Sequence, residues 1–145
     1  MALSNSPPKY SSLQVQTDLS ALEKVLQWFE QFYLSPLPAK IWEDCQQVLV
    51  EGFTNVVRYA HQHLPSTTNI DIELAIFDCY LEIKIWDWGH PFDWQGELQR
   101  RLEEENIEQE GGRGLIWIYR LTNDVQYFRT RDHRNCLLMR KNLPG

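Results

Sequence analysis

Glu51 and Asn55 stand four residues apart in a stretch of helical periodicity, so their side chains point the same way. Arg58 follows about one turn further along, roughly in line. Such a set on a largely apolar helix is either a solvent-facing polar stripe or a face for phosphate and metal. In the second reading the Asn55 oxygen completes a Mg²⁺ shell otherwise filled by phosphate and water oxygens. Arg58 offers a fork of donors to phosphate oxygens, and Glu51 accepts a proton from a nucleophilic hydroxyl or water.

Two further segments carry chemistry. Asp87 closes an apolar run just before Trp88–Gly89. A carboxylate there can accept a hydrogen bond from an exocyclic amine such as that of adenine, and Gly89 would let the backbone approach a flat ligand. The same residues also suit a plain strand-ending Asp-x-Gly turn. Gly111–Gly112–Arg113–Gly114–Leu115 opens a helical pattern. Its glycines free backbone N–H groups to face an anion, and the helix start adds a favourable dipole. It is neither a Walker A loop nor a G-x-G-x-x-G. A hinge after the acidic segment is the alternative.

The elements that must hold these residues follow from periodicity. Residues 1–11 are polar, contain Pro7–Pro8 and read as a loose leader. Residues 12–145 read as one domain. Leu13, Val15 and Thr17 alternate as a short strand, and Thr17 or Asp18 can cap a helix carrying Leu22, Val25, Leu26 and Phe29. After Pro36 and Pro38 a longer helix is expected from about Ala39 to His63. Ile70 to Ile76 and Leu81 to Ile85 form a hairpin about Phe77–Tyr80. Gln95 to Glu110 is polar and fits a solvated helix or a mobile segment. A short helix follows Gly114. Val125 to Phe128 and Cys136 to Met139 close the chain as an antiparallel pair. This order, β-α-α-β-β-lid-α-β-β, lacks a βαβ repeat. It predicts an α+β two-layer sandwich with a mixed or antiparallel sheet and helices on one face, not a doubly wound fold.

Composition narrows the function. The formal net charge is −6, and Arg100–Arg101 is followed at once by Glu103–Glu104–Glu105. Without a basic stripe, nucleic-acid binding is disfavoured. No apolar run approaches the ~20 residues of a membrane span. The N-terminal residues lack the charged start and apolar stretch of a signal peptide, which predicts a cytoplasmic protein. The three cysteines, Cys45, Cys79 and Cys136, form no C-x-x-C and read as reduced, buried thiols. The cysteines and four histidines show no zinc spacing. His61 and His63 are expected to face solvent or cap the helix end.

Taken together, the motifs resemble the histidine-kinase-like ATPase superfamily, and within it the small stand-alone anti-sigma-factor serine kinases of bacteria. Glu51-Gly-Phe-Thr-Asn55-Val-Val-Arg58-Tyr-Ala-His61 resembles the N box of that family. Asp87-Trp-Gly89-His-Pro-Phe92-Asp93 resembles its first glycine box, and Gly111-Gly-Arg-Gly-Leu115 its second. The likeness spans about residues 12–141. It departs at Ile116–Trp117, where relatives often carry small residues. It departs again at Arg134–Asn135, where they often carry Gly-Thr.

The resemblance implies a Bergerat-type sandwich with a mixed sheet, and ATP and Mg²⁺ as cofactors. Asn55 would bind Mg²⁺, Glu51 would be the general base, and Asp87 would contact adenine with Gly89 shaping the pocket wall. Residues 93–112 would form a lid. Gly112, Arg113, Gly114 and Leu115 would meet the phosphates through backbone N–H groups. The implied substrate is a serine on a small anti-sigma-factor antagonist protein, and the implied second partner is a sigma factor. Relatives of this kind are commonly homodimers, which the apolar face of the first strand could serve.

Overall fold

The computed structural model describes residues 9–33, 37–104 and 113–144. Strand β1 (Lys9–Gln16) leads through a 3₁₀ turn, Leu19–Ala21, into α1 (Leu22–Glu30). Helix α2 (Ala39–Asn55) continues as a π turn over Val56–Ala60. Then come β2 (Asn69–Ile76), β3 (Tyr80–Asp87), α3 (Trp94–Glu104), α4 (Arg113–Leu121), β4 (Asp124–Arg129) and β5 (Asn135–Asn142).

Of the two candidate caps before α1, Asp18 is the one used. Its carboxylate accepts the Ser20 N–H at 2.9 Å, satisfying a donor that the opening turn leaves unpaired. Strand β1 begins at Lys9, inside the stretch read as a leader, because Tyr10 pairs with Ala75 and its hydroxyl donates to Glu73 at 2.6 Å. The rest of that leader, residues 1–8, lies outside the described residues.

The strands are ordered β1-β2-β3-β5-β4, and every pairing among the described residues is antiparallel. The mixed sheet implied by resemblance is therefore antiparallel here. The physical reason is the connections. Two helices between β1 and β2 return the chain to the end of the sheet it left, and β2–β3 and β4–β5 are hairpins. The single crossover, β3 to β4, joins strands that β5 separates.

Strict alternation in β2 and β3 aims Ile70, Ile72, Leu74, Ile76, Leu81, Ile83 and Ile85 into the core, where all are buried. Facing them are Val25 and Phe29 of α1 and Cys45, Val48, Leu49 and Phe53 of α2. Phe29 stacks on Trp42 with ring centroids 4.1 Å apart, joining α1 to α2. Each fully buried side chain of this size contributes roughly 1.5–3 kcal/mol. This layer fixes the face of α2 that must meet the sheet, and so the direction in which Glu51 and Asn55 point.

The polar segment after Asp93 is helical as far as Glu104, with Arg100 bonded to Glu97 at 2.8 Å and to Glu104 at 3.2 Å. That agrees with the solvated-helix alternative for its first half. Residues 105–112 of the expected lid lie outside the described residues. Cys45 and Cys136 are buried as expected, whereas Cys79 is exposed at the β2–β3 turn.

Candidate functional site

A cavity of about 490 Å³ opens between the end of α2, the turn after β3, and α3 and α4. Asn55, Asp87, Gly89 and Leu115 line it, so residues far apart in sequence converge as expected. Much of the remaining wall is apolar or aromatic: Phe92, Trp94, Tyr127 and Leu137. A flat, mostly apolar wall with a few placed polar groups is the usual character of a small-molecule site.

Where Asn55 joins the cavity its edge is polar, although Glu51 and Gly114, which lie beside Asn55, are not part of the wall. Gly114 in the first turn of α4 lies directly against α2. A side-chain carbon added there would stand 3.0 Å from both the Asn55 Nδ2 and the Glu51 Oε2. Glu51 itself is held from below, since Gln47 Nε2 donates to its Oε1 at 2.8 Å. The other carboxylate oxygen is thus the one that faces Gly114 and Asn55.

The other end is built on Asp87, which is buried at the end of β3. Its Oδ1 accepts the Gly89 N–H at 2.8 Å and Asn135 Nδ2 at 2.9 Å. Gly89 approaches the end of α2 so closely that a side-chain carbon would collide with the Ala60 carbonyl. The requirement for glycine here is close approach of backbone to backbone. The Trp88 N–H donates to His61 Nε2 at 2.8 Å, a second tie between the same two segments. Burial pushes the His61 pKa below its ordinary value, opposed by the Asp87 charge. Burial, reinforced by Asp87, raises the Tyr127 hydroxyl to about 12, which keeps it a neutral donor in the wall.

Two sequence expectations differ in the structure. Arg58 does not join the stripe of Glu51 and Asn55: it is exposed and is not part of the cavity wall. The π turn is the cause. His61 N–H reaches back five residues to Val56 O, so the phase of the helix changes after Asn55. His61 neither faces solvent nor caps the helix; it is 2% exposed. His63 is exposed and lines the cavity mouth. Gly112 lies outside the described residues, and of Arg113 only the backbone, the start of α4, is described.

Among the described residues, no cluster of three or more His, Cys, Asp or Glu could hold a metal by itself. The donors at the polar end, a carboxamide and a carboxylate beside a cradle that any side chain would fill, suit a hard cation bound mainly through phosphate and water oxygens. They fit Mg²⁺ in that form. Sequence reasoning missed Gln47, Tyr127 and the packed role of His61. It saw Asn135 only as part of a departure from the resemblance. Its position opposite Asp87 comes from strand register, which no local signal carries.

Helices on one face of an antiparallel sheet, with a cavity between α2 and α4, define a two-layer α+β sandwich with a ligand-sized site. The match to the histidine kinase-like ATPase domain family covers residues 15–141, and the chain belongs to that family. It is 32% identical over 92 residues to a serine-protein kinase RsbW of Staphylococcus epidermidis, 60% of this chain and 58% of that one. It is 35% identical over 89 residues to the serine-protein kinase RsbW of Oceanobacillus iheyensis, 58% of this chain and 56% of that one. The match thus spans a little over half the length of these relatives. In fold it is similar to a chain of the SiaB-SiaC complex from Pseudomonas aeruginosa. The TM-score is 0.59 and identity 16%, with 91% of this chain and 89% of that chain covered. No helix among the described residues is long and apolar enough to cross a membrane.

Proposed function

We propose that the protein is an ATP-dependent serine/threonine protein kinase and anti-sigma regulatory factor of a bacterial partner-switching pathway. It phosphorylates a serine of a small antagonist protein in the cytoplasm, and a sigma factor is its second partner. A homodimer through the exposed edge strand β1 belongs to the same reading. The observation that carries it is the meeting of Glu51 and Gly114 with Asn55, which lines the edge of a nucleotide-sized cavity. Nucleotide binding alone does not call for a carboxylate there; removal of a hydroxyl proton does. The named relatives support the kinase class.

In this mechanism the adenine amine donates to Asp87 and the base lies along the apolar wall. Asn55, with the backbone N–H groups of Gly114 and Leu115, holds the phosphate end. Asn55 would hold Mg²⁺ together with phosphate oxygens, and the ion would supply charge neutralisation there. The acceptor serine enters beside Glu51. Its hydroxyl proton passes to the Glu51 carboxylate while its oxygen bonds to the γ-phosphorus. The bond from that phosphorus to the bridging oxygen breaks, and ADP leaves with the electron pair. Gln47 keeps the Glu51 carboxylate turned toward Gly114 throughout.

The test pairs calorimetric titration with Mg-ADP and transfer of labelled phosphate from ATP to an anti-sigma-factor antagonist. Asp87→Asn is expected to abolish binding. Glu51→Ala is expected to keep binding and lose transfer by at least about a hundredfold. Binding without transfer by the native protein would leave a nucleotide-gated module that sequesters its partner. No binding at all would refute both readings.

A further inference from the structure

Asn135 has an exposure of 0% and does not line the cavity, yet its carboxamide is bonded on both sides. Its Nδ2 donates to Asp87 Oδ1 at 2.9 Å and to the Gly89 carbonyl at 2.8 Å. Its Oδ1 accepts from Arg129 Nη1 at 3.1 Å, and the same guanidinium nitrogen reaches the Gly89 carbonyl at 3.3 Å. Strand register makes this possible. Asp87 of β3 is paired with Asn135 of β5, which is paired with Arg129 of β4, so the three side chains stand in one row on one face. A guanidinium only donates and a carboxylate only accepts. The amide between them therefore has one orientation, and both of its ends are satisfied.

We propose that Asn135, braced by Arg129, is the positioning residue that sets nucleobase choice at Asp87, by filling one carboxylate oxygen and leaving the other as the sole acceptor turned to the cavity. The inference rests on the ATP reading above and goes beyond it by assigning selectivity to residues outside the cavity. Asp87 Oδ1 is occupied by two N–H donors, from Gly89 and Asn135. Among the described residues nothing donates to Oδ2. A ligand edge with an amine completes that oxygen. A 6-oxo purine places a second oxygen against it and leaves the carboxylate unpaired, the kind of mismatch that sites reject strongly. Without the Asn135 amide the carboxylate is free to turn and share its oxygens, so rejection of the oxo ligand weakens more than acceptance of the amine.

The experiment compares Mg-ADP with Mg-IDP, which differ at that exocyclic group, by calorimetry. The full chain is used, native and as Asn135→Leu and Arg129→Met, with melting temperature as the folding control. The native protein is expected to prefer ADP by about a hundredfold or more. Asn135→Leu is expected to narrow that ratio by roughly tenfold, and Arg129→Met, a milder change at an exposed position, by roughly threefold. A merely structural role would lower the melting temperature, or weaken both diphosphates alike, and leave the ratio in place. A ratio that survives in both variants overturns the inference while the ATP reading stands. If Asn135→Leu fails to fold, Arg129→Met decides alone. A native protein that binds neither diphosphate overturns both.

Discussion

The backbone N–H of Trp88 donates to the imidazole Nε2 of His61, 27 residues away in sequence, at 2.8 Å. Nε2 can accept only if the ring proton sits on Nδ1, which is buried and has no partner among the described residues. Protonation would put a second N–H against that of Trp88 and break the tie between α2 and the turn carrying Asp87 and Gly89. Burial lowers the folded-state pKa of His61, with Asp87 opposing. The unfolded chain therefore binds the proton first as pH falls. The stability that His61 provides is fully present above about 6.5, its unfolded value, and is lost as pH drops from there toward the folded value. Urea unfolding midpoints at pH 7.5 and 5.5 are expected to differ in that direction. His61→Gln, which keeps an acceptor and cannot titrate, should reduce the difference. Equal pH dependence in the two proteins would contradict the assignment.

Gln47 makes a separate prediction about rate. Its amide holds one oxygen of Glu51, so the other oxygen is aimed rather than free to wander. Gln47→Leu should leave Mg-ADP affinity within about twofold, because the residue is outside the cavity. Phosphoryl transfer should fall by roughly three- to tenfold, since a misplaced catalytic group costs rate more than binding. Steady-state kinetics with the antagonist protein separates the two quantities. A raised KM for ATP with an unchanged kcat would show that Gln47 acts elsewhere.

Gly89→Ala tests packing. The new carbon has no room against the Ala60 carbonyl, and neither backbone can yield without moving the π turn or β3. Overpacking of this kind costs about 1–3 kcal/mol. A chemical denaturation curve is expected to show that loss, together with weaker Mg-ADP binding, because Gly89 lines the cavity. Native-like stability would mean that the two segments are not in contact in solution.

What could be read in advance divides along the range of the interactions. The alternation in Ile70–Ile76 and the apolar stripe of α2 are local signals: β2 formed where the pattern put it, and α2 began at Ala39 as expected but ended at Asn55, short of the expected His63. The π turn left no such signal. Val56 and Val57 fit a 3.6-residue period well enough, yet the chain adopts the wider turn there, so Arg58 leaves the stripe it was assigned to. His61 looked like a helix-end residue for the same reason, though the altered phase carries it inward. Asn135 shows a second limit. Its partners lie 48 and 6 residues away, and only the pairing of β3, β5 and β4 makes them neighbours. The relation of Glu51 to Asn55 was legible from their four-residue spacing, whereas that of Gly114 to both came only from motif order.

Gly114 sets stability against binding, and so gives a test that a general loss of structure cannot imitate. It sits in the first turn of α4, where alanine is a better helix former by up to about 1 kcal/mol. On propensity alone Gly114→Ala should be neutral or slightly stabilising. The added methyl would stand 3.0 Å from Asn55 Nδ2 and Glu51 Oε2 and 3.2 Å from Asn55 Oδ1. The ends of these side chains can shift by a few tenths of an ångström, which is cheap for folding. They are also the groups assigned to the phosphate end, where such a shift is costly. The variant is expected to melt at or near the native temperature and to bind Mg-ATP roughly tenfold more weakly, with a larger fall in phosphoryl transfer. Melting by differential scanning fluorimetry and calorimetric titration would be measured on the same preparation. Unchanged affinity and transfer would mean that Gly114 is not where the phosphates lie, and the polar end of the cavity would need reassignment.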